Sequence, residues 1–437
     1  MQKKQKTTGL IWFRNNLRVL DNSSLAKATQ EHESVIGVFF FDPKLFCKDN
    51  FGFVKTGKYR AQFLLETVQD LKENLAKLNI TLLTYFLSPE NKIPELCVNF
   101  EVAKIYTQKE WTQEELATNK AVKQHLDNPI NWVEDYNQFL YHPNTVSKNF
   151  SNIPNVFTAF RKKLEKYVSI EAEIRAAQMP KENLLTQCTT LPTLKELGFQ
   201  DFEISKNTAF SFSGGESAAL QRVENYFFTT KKVSVYKKTR NGLVGVDYST
   251  KFSPWLANGS ISAKTVYWKL KAYEKENGSN QSTYWVFFEL IWRDYFKYIS
   301  LKYGDSIFKI GGILNRDYVW NSDKTLIEDW INGHTKDDFV NANMIELKET
   351  GWMSNRGRQN VASYFAKELL LDWRIGAAYF ESQLLDYDVH SNYGNWMYVA
   401  GVGNDPRDRK FNTKTQAERY DSNHKFRNLW LVKRLFK

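Results

Sequence analysis

Residues 369–407 read LLLDWRIGAAYFESQLLDYDVHSNYGNWMYVAGVGNDPR, and this stretch carries the most specific pattern in the chain. Apolar residues recur at helical spacing over residues 374–385, so the first part of the stretch predicts a helix. Residues 384–396 are rich in Asp, Asn and Gly, which favours the end of that helix and a polar loop. In this segment, Asp386, Asp388 and Asn392 could accept hydrogen bonds from a planar heterocycle or a sugar.

Two other interpretations of this cluster stay open on the residues alone. The side chains could simply cap a helix and stabilise a turn, as Asp and Asn often do. A metal site would need further ligands, but His390 is the only nearby soft ligand and no calcium-binding D-x-D-x-D-G loop is present. We therefore predict no metal site.

The sequence around this stretch predicts a helical second half, which begins after Gly214 and Gly215. Long apolar patterns of helical period follow one another there, whereas strand patterns nearly vanish. The predicted helices cover residues 216–228, 262–276, 283–301, 337–349, 359–371 and 374–385. We expect an all-α C-terminal domain at residues 213–437, in which ligands bind between helices through inward side chains.

The first part of the chain has a different pattern, in which short apolar runs alternate with amphipathic segments. They predict buried strands at residues 9–13, 35–41, 81–86, 103–106 and 131–134, and helices at residues 60–78 and 113–126. This alternation indicates an α/β N-terminal domain with a doubly wound parallel sheet, at residues 1–140. A connector at residues 141–212, with one helix at residues 156–167, joins the two domains. The first strand is not followed by G-x-G-x-x-G, and no Walker A motif occurs.

The composition of the 437 residues limits the function further. The formal net charge of +11 favours a polyanionic partner, with nucleic acid as the leading candidate. Ten of the 13 tryptophans follow residue 250, which is more clustering than packing usually requires. Charged residues interrupt every apolar run short of a membrane span, and three distant cysteines argue against disulfides and zinc. We therefore expect a cytoplasmic protein in a reducing compartment, without membrane association.

Residues 283–300 read TYWVFFELIWRDYFKYIS and predict a helix that carries charges within an aromatic surface. Glu289 neighbours Trp292 at i+3 and Arg293 at i+4, and further aromatic residues share that face. An ordinary core helix with an ion pair at i+4 would look the same. Charges within a wide apolar surface are costly unless they are paired, which favours a functional role.

Two more segments could bind an anion. Residues 248–262, YSTKFSPWLANGSIS, place hydroxyl side chains and free backbone N–H groups near the start of a helix. Helix capping by Ser249 or Ser253 is the alternative. The segment Asn355 to Arg358 offers an amide and two guanidinium groups just before a helix, as partners for one of the aspartates or a phosphate.

Together these segments resemble the photolyase and cryptochrome family, and most of all its DASH group. The resemblance rests on the ordered motifs WFRNNLRVLDN, KTGKYRAQFLLETVQDL, GGESAAL, YSTKFSPWLANGSIS, FELIWRDYFKY and GWMSNRGRQNVASYF, followed by the stretch at residues 369–407. It covers almost the entire chain, from Trp12 to about Asn412. The resemblance implies an N-terminal α/β antenna domain, a long connector and a helical domain that holds FAD in a bent form.

The resemblance also implies which residues contact the cofactors. The expected FAD contacts are Tyr236, Ser249, Thr250, Lys251, Phe252, Ser253, Glu289, Arg293, Asn355, Arg358, Asp386, Asp388 and Asn392. Arg358 is expected to pair with Asp386. Asp388 is expected to meet the pyrimidine edge of the flavin, and Asn392 to face its N5 atom, where a hydrogen bond can stabilise the reduced form. A second chromophore, the antenna 5,10-methenyltetrahydrofolate, is expected at Glu114, with Glu115 as the alternative.

Electron transfer and substrate binding are implied for a further set of residues. Trp396, Trp373 and Trp320 correspond to the family's relay, which carries an electron from the surface to the excited flavin. The residues expected to contact the DNA lesion are Glu289, Trp292, Asn355 and Tyr398. Tyr398 stands where other photolyases carry a second tryptophan, a substitution shared with the DASH group. The expected catalytic residues are Trp320, Trp373, Trp396, Asn392 and Glu289.

The resemblance predicts a blue-light-driven, FAD-dependent lyase that repairs cyclobutane pyrimidine dimers. The smaller stacking area of Tyr398 favours dimers in single-stranded or looped DNA, where extrusion of the lesion costs less. The expected partner is UV-damaged DNA, with RNA as a further candidate, and the expected state is a monomer. A blue-light photoreceptor or nucleic-acid-binding regulator without repair activity is the alternative. Repair of (6-4) photoproducts is disfavoured, because Ser354, Asn355 and Gln359 stand where that reaction would need histidines.

Overall fold

The computed structural model describes residues 7–126, 130–405 and 407–431, and residues 1–6, 127–129, 406 and 432–437 of the predicted domains lie outside the described residues. The first domain has five strands, at Thr8–Trp12 (β1), Ser34–Phe40 (β2), Leu82–Tyr85 (β3), Val102–Gln108 (β4) and Asn131–Asp135 (β5). Its helices are Ser23–Glu31 (α1), Lys58–Ala76 (α2), Pro89–Asn99 (α3) and Gln113–Gln124 (α4). The strands pair in parallel in the order β3-β2-β1-β4-β5, which confirms the predicted fold class.

The carboxyl ends of the central strands define a cleft. Trp12, the last residue of β1, is level with Val38 in β2 and with Thr107 in β4. The strand order reverses on the two sides of β1, and open α/β sheets bind ligands at such a point, outside the carboxyl ends of their strands. In this chain the cleft opens toward residues of the helical half, so the two domains share its walls.

The connector contains the helices Pro143–Asn149 (α5) and Phe157–Tyr167 (α6), and it packs on both domains. Met179 contributes to the core of the α/β domain, and Phe160 contributes to the largest core of the helical half. The start of the connector is held by Asp294, whose carboxylate accepts hydrogen bonds from the N–H groups of Leu140 and Tyr141 at 2.8 to 3.0 Å. Its buried contacts therefore make the connector a structural part of both domains.

Replacing Asp294 with Asn should change how the stability of the fold depends on pH. Burial raises the pKa of Asp294 from 3.8 to about 6, although the N–H groups of Tyr141 and Leu140 oppose the shift. Between these two values the folded chain keeps a proton that the unfolded chain loses, so stability falls as the pH rises through this range. Above this pH range, the loss in the free energy of unfolding levels off at about 3 kcal/mol, because each pKa unit corresponds to about 1.36 kcal/mol.

The measurement is denaturant unfolding of the wild-type chain and Asp294→Asn between about pH 4 and about pH 8. The amide cannot ionise, so the difference in the free energy of unfolding should move in favour of the variant up to about pH 6 and stay constant above. A difference in the free energy of unfolding that does not vary with pH would contradict the raised pKa of Asp294.

The second half of the chain is helical, as predicted. Its helices are Glu216–Glu224 (α7), Tyr236–Thr239 (α8), Ser253–Asn258 (α9), Ala263–Asn277 (α10), Gln281–Tyr303 (α11), Lys324–Asn332 (α12), Asp338–Thr350 (α13), Asn355–Ser363 (α14), Trp373–Gln383 (α15), Val389–Ala400 (α16), Thr413–Tyr420 (α17) and Lys425–Leu431 (α18). π-Helical turns extend α7 at Asn225–Thr229 and α14 at Tyr364–Glu368. Among the described ranges, none of these helices is long and apolar enough to cross a membrane.

The helix α16 shows that the polar loop predicted over residues 384–396 is correct only for residues 384–388, because residues 389–396 are helical. Asp388 caps this helix, because its side chain accepts a hydrogen bond from the N–H of Ser391 at 2.8 Å. Gly394 lies against the ring of Phe296 in α11, and a Cβ atom at this glycine would come within 2.3 Å of that ring. Close contact with α11 therefore stabilises a helix whose own residues favour a turn.

The helix predicted at residues 359–371 also has different ends. It begins at Asn355, where the Ser354 side chain caps it by accepting a hydrogen bond from the N–H of Gly357 at 2.9 Å. It ends with the π-helical turn at Tyr364–Glu368, and Leu371 instead forms a parallel bridge with Asn321. The earlier start places the first turn of α14 beside the site described next.

Candidate functional site

A cavity of about 90 Å³ lies between α14, α15 and α16. Its wall includes the predicted site residues Asn355, Arg358, Asp386, Asp388, Asn392 and Trp396. The residues Asp386 to Asn392 come from the turn before α16 and from its first turn, whereas Arg358 comes from the first turn of α14. The fold thus brings together the two segments that were predicted as partners.

Arg358 and Asp386 form the expected ion pair in the wall of this cavity. The Nη2 atom of Arg358 lies 2.9 Å from each carboxylate oxygen of Asp386, and the Asp386 side chain is only 2% exposed. The Nε atom of Arg358 also donates to the carbonyl oxygen of Met353 at 3.0 Å, which fixes the plane of the guanidinium. The pair therefore holds the start of α14 and the turn before α16 in one geometry.

Asp388 forms a second buried pair, with Lys297 of α11, at 2.6 Å between Oδ2 and Nζ. Burial alone would raise the pKa of Asp388, but the charge of Lys297 outweighs this effect and holds the pKa well below its ordinary value. The carboxylate is therefore ionised and able to accept hydrogen bonds. The sequence did not reveal Lys297, because it lies 91 residues away from its partner.

Lys251 lies at the centre of the predicted anion cradle. Its residue is 2% exposed, and its Nζ atom has no hydrogen-bond partner among the described residues. The ammonium group lies 3.3 Å from the centre of the Tyr248 ring and 4.5 Å from the centre of the Trp352 ring. Burial holds the pKa of Lys251 well below its ordinary value, an effect that the nearby Glu346 opposes. An anionic ligand at this position would raise the pKa of Lys251 again and stabilise its charged form.

The main chain of the neighbouring cradle residues is held in place by hydrogen bonds from Arg222. Arg222 donates to the carbonyl oxygens of Ser249 and Thr250, in both cases at 3.1 Å. The helix α9 begins at the exposed Ser253, with the buried Phe252 at its cap position and without any side-chain capping bond. Capping of this helix by Ser249 or Ser253, the alternative to an anion cradle, is therefore wrong.

These residues fit the FAD that the resemblance implies. The unpartnered ammonium group of Lys251 offers a buried positive charge of the kind that binds a diphosphate. Arg358 lies near the same Trp352 ring, with Cζ at 5.7 Å from its centre, so Trp352 links the cradle to the ion pair. Asp388 and Asn392, at the cavity, offer acceptors for the edge of a planar ring.

Glu289 of α11 pairs with Arg240, so the alternative of an ordinary core helix with an ion pair between Glu289 and Arg293 is wrong. Arg240 directly follows α8, which begins at the buried Tyr236. Arg293 instead donates to two main-chain carbonyl oxygens, at 2.6 Å in the first domain and at 2.8 Å in α9. Arg293 thus braces the junction of the domains, while Glu289 stays partly exposed beside Arg240.

Trp292 and Tyr398, two predicted lesion contacts, form an aromatic corner between α11 and α16. Their ring centres lie 6.1 Å apart, and the ring planes are perpendicular at 89°. Trp292 stacks on Phe157 of the connector, with 3.6 Å between ring centres and 9° between planes. The hydroxyl of Tyr398 accepts a hydrogen bond from Arg409 at 2.9 Å. Both rings are only partly buried, so part of each remains available for stacking.

The three tryptophans predicted to form the relay differ in burial. Trp396 lines the cavity and is 2% exposed, and Trp373 is fully buried. The Trp396 ring packs on Gly376, one turn after Trp373 in α15, where a Cβ atom would come within 2.3 Å of the ring. Trp320 is only partly buried, and the next residue, Asn321, pairs with the segment just before α15.

A larger cavity of about 770 Å³ lies between the carboxyl ends of the strands and the helices α11 and α16. Three buried polar atoms in its wall, Arg60 Nη1, Gln108 Oε1 and Gln138 Oε1, have no hydrogen-bond partner among the described residues. These unsatisfied hydrogen-bonding groups indicate a ligand with both donors and acceptors. We did not predict this cavity from the sequence, although the polar residues that directly follow the predicted strands were an available signal.

Among the carboxyl groups that line this larger cavity, those of Glu114, Glu115 and Glu110 lie at different depths. The predicted antenna residue Glu114 lies at the rim, where its side chain is 67% exposed and pairs with Lys55. Glu115, the alternative, is partly buried, and burial raises the pKa of its carboxyl group. Glu110 lies deepest, and burial raises its pKa to about 7 although Arg14 opposes the shift. Glu110 is therefore a candidate ligand contact that was not predicted.

His390, the only soft ligand near the acidic pair, belongs to the wall of the larger cavity. Its ring stacks on Trp111, with 4.4 Å between ring centres, and its Nδ1 atom lies 2.7 Å from the hydroxyl of Ser300. Within the described ranges, no group of three or more His, Cys, Asp and Glu side chains could hold a metal ion.

Two family models match the chain, "DNA photolyase" at residues 9–181 and "FAD binding domain of DNA photolyase" at residues 285–434. The second match identifies an FAD-binding domain in the helical half. Cryptochrome DASH of Xenopus laevis is 44% identical over 426 residues, which cover 96% of this chain and 81% of that protein. Cryptochrome DASH of Synechocystis sp. is 42% identical over 429 residues, which cover 97% of this chain and 87% of that protein.

A crystal structure of a cryptochrome from Synechocystis sp. has the same fold. The two structures superpose with a TM-score of 0.93 at 42% sequence identity, over 98% of this chain and 89% of that chain. The similarity therefore includes both domains and the connector. By sequence and by structure, the chain belongs to the photolyase and cryptochrome family, within its DASH group.

Proposed function

We propose that the chain is a light-driven lyase that repairs cyclobutane pyrimidine dimers, with single-stranded or looped UV-damaged DNA as its preferred substrate. The observation that carries the proposal is the convergence of Arg358, Asp386, Asp388, Asn392 and Trp396 on one cavity. When bound, reduced FAD supplies an electron to the dimer after excitation by light. The residues of the chain bind the cofactor, place the lesion and conduct electrons.

In this proposal, two side chains of the small cavity, Asp388 and Asn392, set the surroundings of the flavin ring. Asp388, held ionised by Lys297, accepts a hydrogen bond from the pyrimidine edge. Asn392 donates through Nδ2 to the carbonyl oxygen of Ala377 at 3.0 Å, so its Oδ1 atom is the acceptor that remains for the N5 position. Hydrogen bonding at that position stabilises the reduced cofactor.

The aromatic corner of Trp292 and Tyr398 is the proposed contact for the two joined bases, with Glu289 and Asn355 as polar contacts. Base–aromatic stacking contributes about 1 to 3 kcal/mol per base, and a tyrosine ring offers less area than a tryptophan ring. Extrusion of a base from a duplex costs a few kcal/mol, but less from a single strand. The smaller stacking energy expected at Tyr398 therefore supports a preference for single-stranded or looped DNA.

Trp396, Trp373 and Trp320 are the proposed electron relay. The Trp396 ring packs on α15, which contains Trp373, and Asn321, next to the partly exposed Trp320, pairs with the segment just before α15. These contacts support electron hopping from Trp320 toward the cavity. After each electron transfer, the positive charge lies on a tryptophan ring that is one step closer to the surface. The relay thus maintains the reduced cofactor that the repair reaction needs.

Repair should be at least about tenfold faster for a dimer in single-stranded oligothymidine than for the same dimer in a duplex, because extrusion from the duplex adds a few kcal/mol. Placing the dimer in a loop of the duplex should restore a large part of the rate. The measurement is light-dependent loss of dimers at one ionic strength, because phosphate contacts by a basic chain weaken steeply with salt.

A matched variant, Tyr398→Trp, separates the effect of base stacking on the repair rate from the effects of the other DNA contacts. It should raise the duplex rate and leave the single-strand rate nearly unchanged. Equal wild-type rates on all three substrates would show that extrusion does not limit repair. Bound FAD that is photoreduced without any loss of dimers would instead favour the alternative, a photoreceptor or nucleic-acid-binding regulator.

The larger cavity is the proposed antenna site. The supporting observations are its volume of about 770 Å³, its three unpartnered polar atoms and its carboxyl groups. For the antenna we propose 5,10-methenyltetrahydrofolate, contacted by Glu114 or Glu115 at the rim and by Glu110 deeper in the cavity. We further propose that the chain acts as a monomer in the cytoplasm and that RNA is a second candidate partner. The three free cysteines agree with a reducing compartment.

A further inference from the structure

Tyr318 lies beside Trp320, the last tryptophan of the proposed relay. The two ring centres are 5.7 Å apart, and the planes meet edge to face at 85°. The residue between them, Val319, is 93% exposed, so both rings lie at the surface end of the relay. A contact of this kind allows an electron to move from one ring to the other.

The phenol group of Tyr318 has both a proton acceptor and a positioning contact. Its hydroxyl donates to Asp408 Oδ2 at 3.2 Å and accepts a hydrogen bond from Arg316 Nη1 at 2.7 Å. Arg316 in turn donates to the carbonyl oxygen of Gly401 at 2.7 Å, which anchors it to the end of α16. These contacts direct the phenolic proton toward Asp408.

We propose that Tyr318 is the final electron donor to Trp320, with Asp408 as the acceptor of its proton, an inference that rests on the proposed relay. One electron moves from the Tyr318 ring to the oxidised, positively charged Trp320 ring, which becomes neutral indole. The O–H bond of Tyr318 breaks, and its proton forms an O–H bond with Asp408. The products are a neutral tyrosyl radical, an intact tryptophan and a protonated carboxyl group.

The charges around Tyr318 require that the proton leaves with the electron. Lys367 Nζ lies 5.2 Å from the centre of the Tyr318 ring, and Arg316 Cζ lies 5.8 Å from it. Both cations oppose a positive charge on the ring, so oxidation is favourable only when the phenol becomes neutral by losing its proton.

The same two cations contact Asp408, the carboxylate to which the Tyr318 hydroxyl donates. Lys367 lies 2.6 Å from Asp408 Oδ1, and Arg316 lies 3.6 Å from Oδ2. Burial opposes their effect, but the hydrogen bond of Lys367 lowers the pKa of Asp408 below its ordinary value, so the carboxylate is ionised. Once the proton has moved, return of the electron to Trp320 requires the proton to return as well. The oxidised residue therefore remains Tyr318, at the surface.

The test is time-resolved absorption and electron paramagnetic resonance on the full chain with FAD bound, after a blue-light pulse. In the wild type, the Trp320 radical should decay as a tyrosyl radical appears, and this step should be slower in D2O. In Tyr318→Phe, the tyrosyl signal should be lost and the Trp320 radical should live at least about tenfold longer. Asp408→Asn should lower the tyrosyl yield, since the amide cannot take the proton. The matched control is Tyr85→Phe in the α/β domain, which should behave as the wild type.

The outcomes distinguish the inference from the relay on which it rests. A wild-type chain that forms the Trp320 radical but no tyrosyl radical would overturn the role of Tyr318 and leave the relay standing. A tyrosyl radical that persists at full yield in Trp320→Phe would also overturn it, because Trp320 would not be the oxidant. A wild-type chain that forms neither radical would refute the relay, and the role of Tyr318 with it.

Discussion

Replacing Trp396 with Phe should slow the light-driven reduction of bound FAD by more than about tenfold. Trp396 lines the cavity at which Asp388 and Asn392 also lie, and a phenylalanine ring is far harder to oxidise than an indole. Phe lacks the outer edge of the indole that packs on Gly376, but it keeps an apolar aromatic ring in the core, so the fold should be retained while the first step of the relay is lost. Trp373→Phe should give a similar loss, because it interrupts the next step.

The measurement is the decay of oxidised flavin absorbance under blue light with a thiol reductant in solution. Trp330→Phe is the stringent control, because its ring is equally buried and its centre lies 6.2 Å from that of Trp396, yet it is outside the proposed relay. Each variant is also reduced chemically and tested for repair, which should stay close to the wild-type rate. Photoreduction at the wild-type rate in Trp396→Phe and Trp373→Phe would return both residues to a role in packing.

Replacing Arg358 with Ala should weaken FAD binding by at least about a hundredfold. Removing one partner of a buried ion pair costs about 3 to 5 kcal/mol, because the remaining charge is left uncompensated. The remaining charge here is Asp386, whose side chain is 2% exposed at the cavity. The loss acts on the turn before α16 and therefore on Asp388 as well.

Two measurements separate binding from folding for this variant. Flavin content after gel filtration and FAD titration report the affinity, and thermal unfolding reports the stability. The control is Glu368→Ala, which removes the pair with Lys410, where both side chains are about half exposed. Pairs of this kind contribute about 0 to 1 kcal/mol, so the control should keep its flavin. A folded Arg358→Ala chain with wild-type affinity for FAD would show that the pair does not organise the site.

The strands of the first domain were predictable because a parallel sheet is covered by helices on both faces. Its strands therefore read as continuous apolar runs, such as GLIWF at residues 9–13 and VIGVFFF at residues 35–41. Their ends are displaced by only one or two residues in β1 to β3. The order of the strands, and with it the cleft at the end of β1, depends on pairing between distant segments and was not predicted.

The helix α16 and the partners of the charged residues show where local sequence patterns are insufficient. Residues 389–395 contain Ser, Asn and Gly, which favour a turn, but packing of Gly394 against Phe296 stabilises them as a helix. Similarly, spacing left open an ion pair between Glu289 and Arg293, whereas the partner in the structure is Arg240, which lies 49 residues earlier and directly follows a short helix. The pair of Arg358 and Asp386 was predicted correctly because the family motif, rather than local spacing, indicated it.

Asp388 lies in the walls of both cavities, and its partner Lys297 lines the larger one. An occupant of either cavity therefore acts on the same carboxylate and the same fixed charge. Two ligands that both contact this carboxylate would be thermodynamically linked through it. Reciprocity then requires that a ligand which changes the affinity of the small cavity by some factor has its own affinity in the large cavity changed by the same factor.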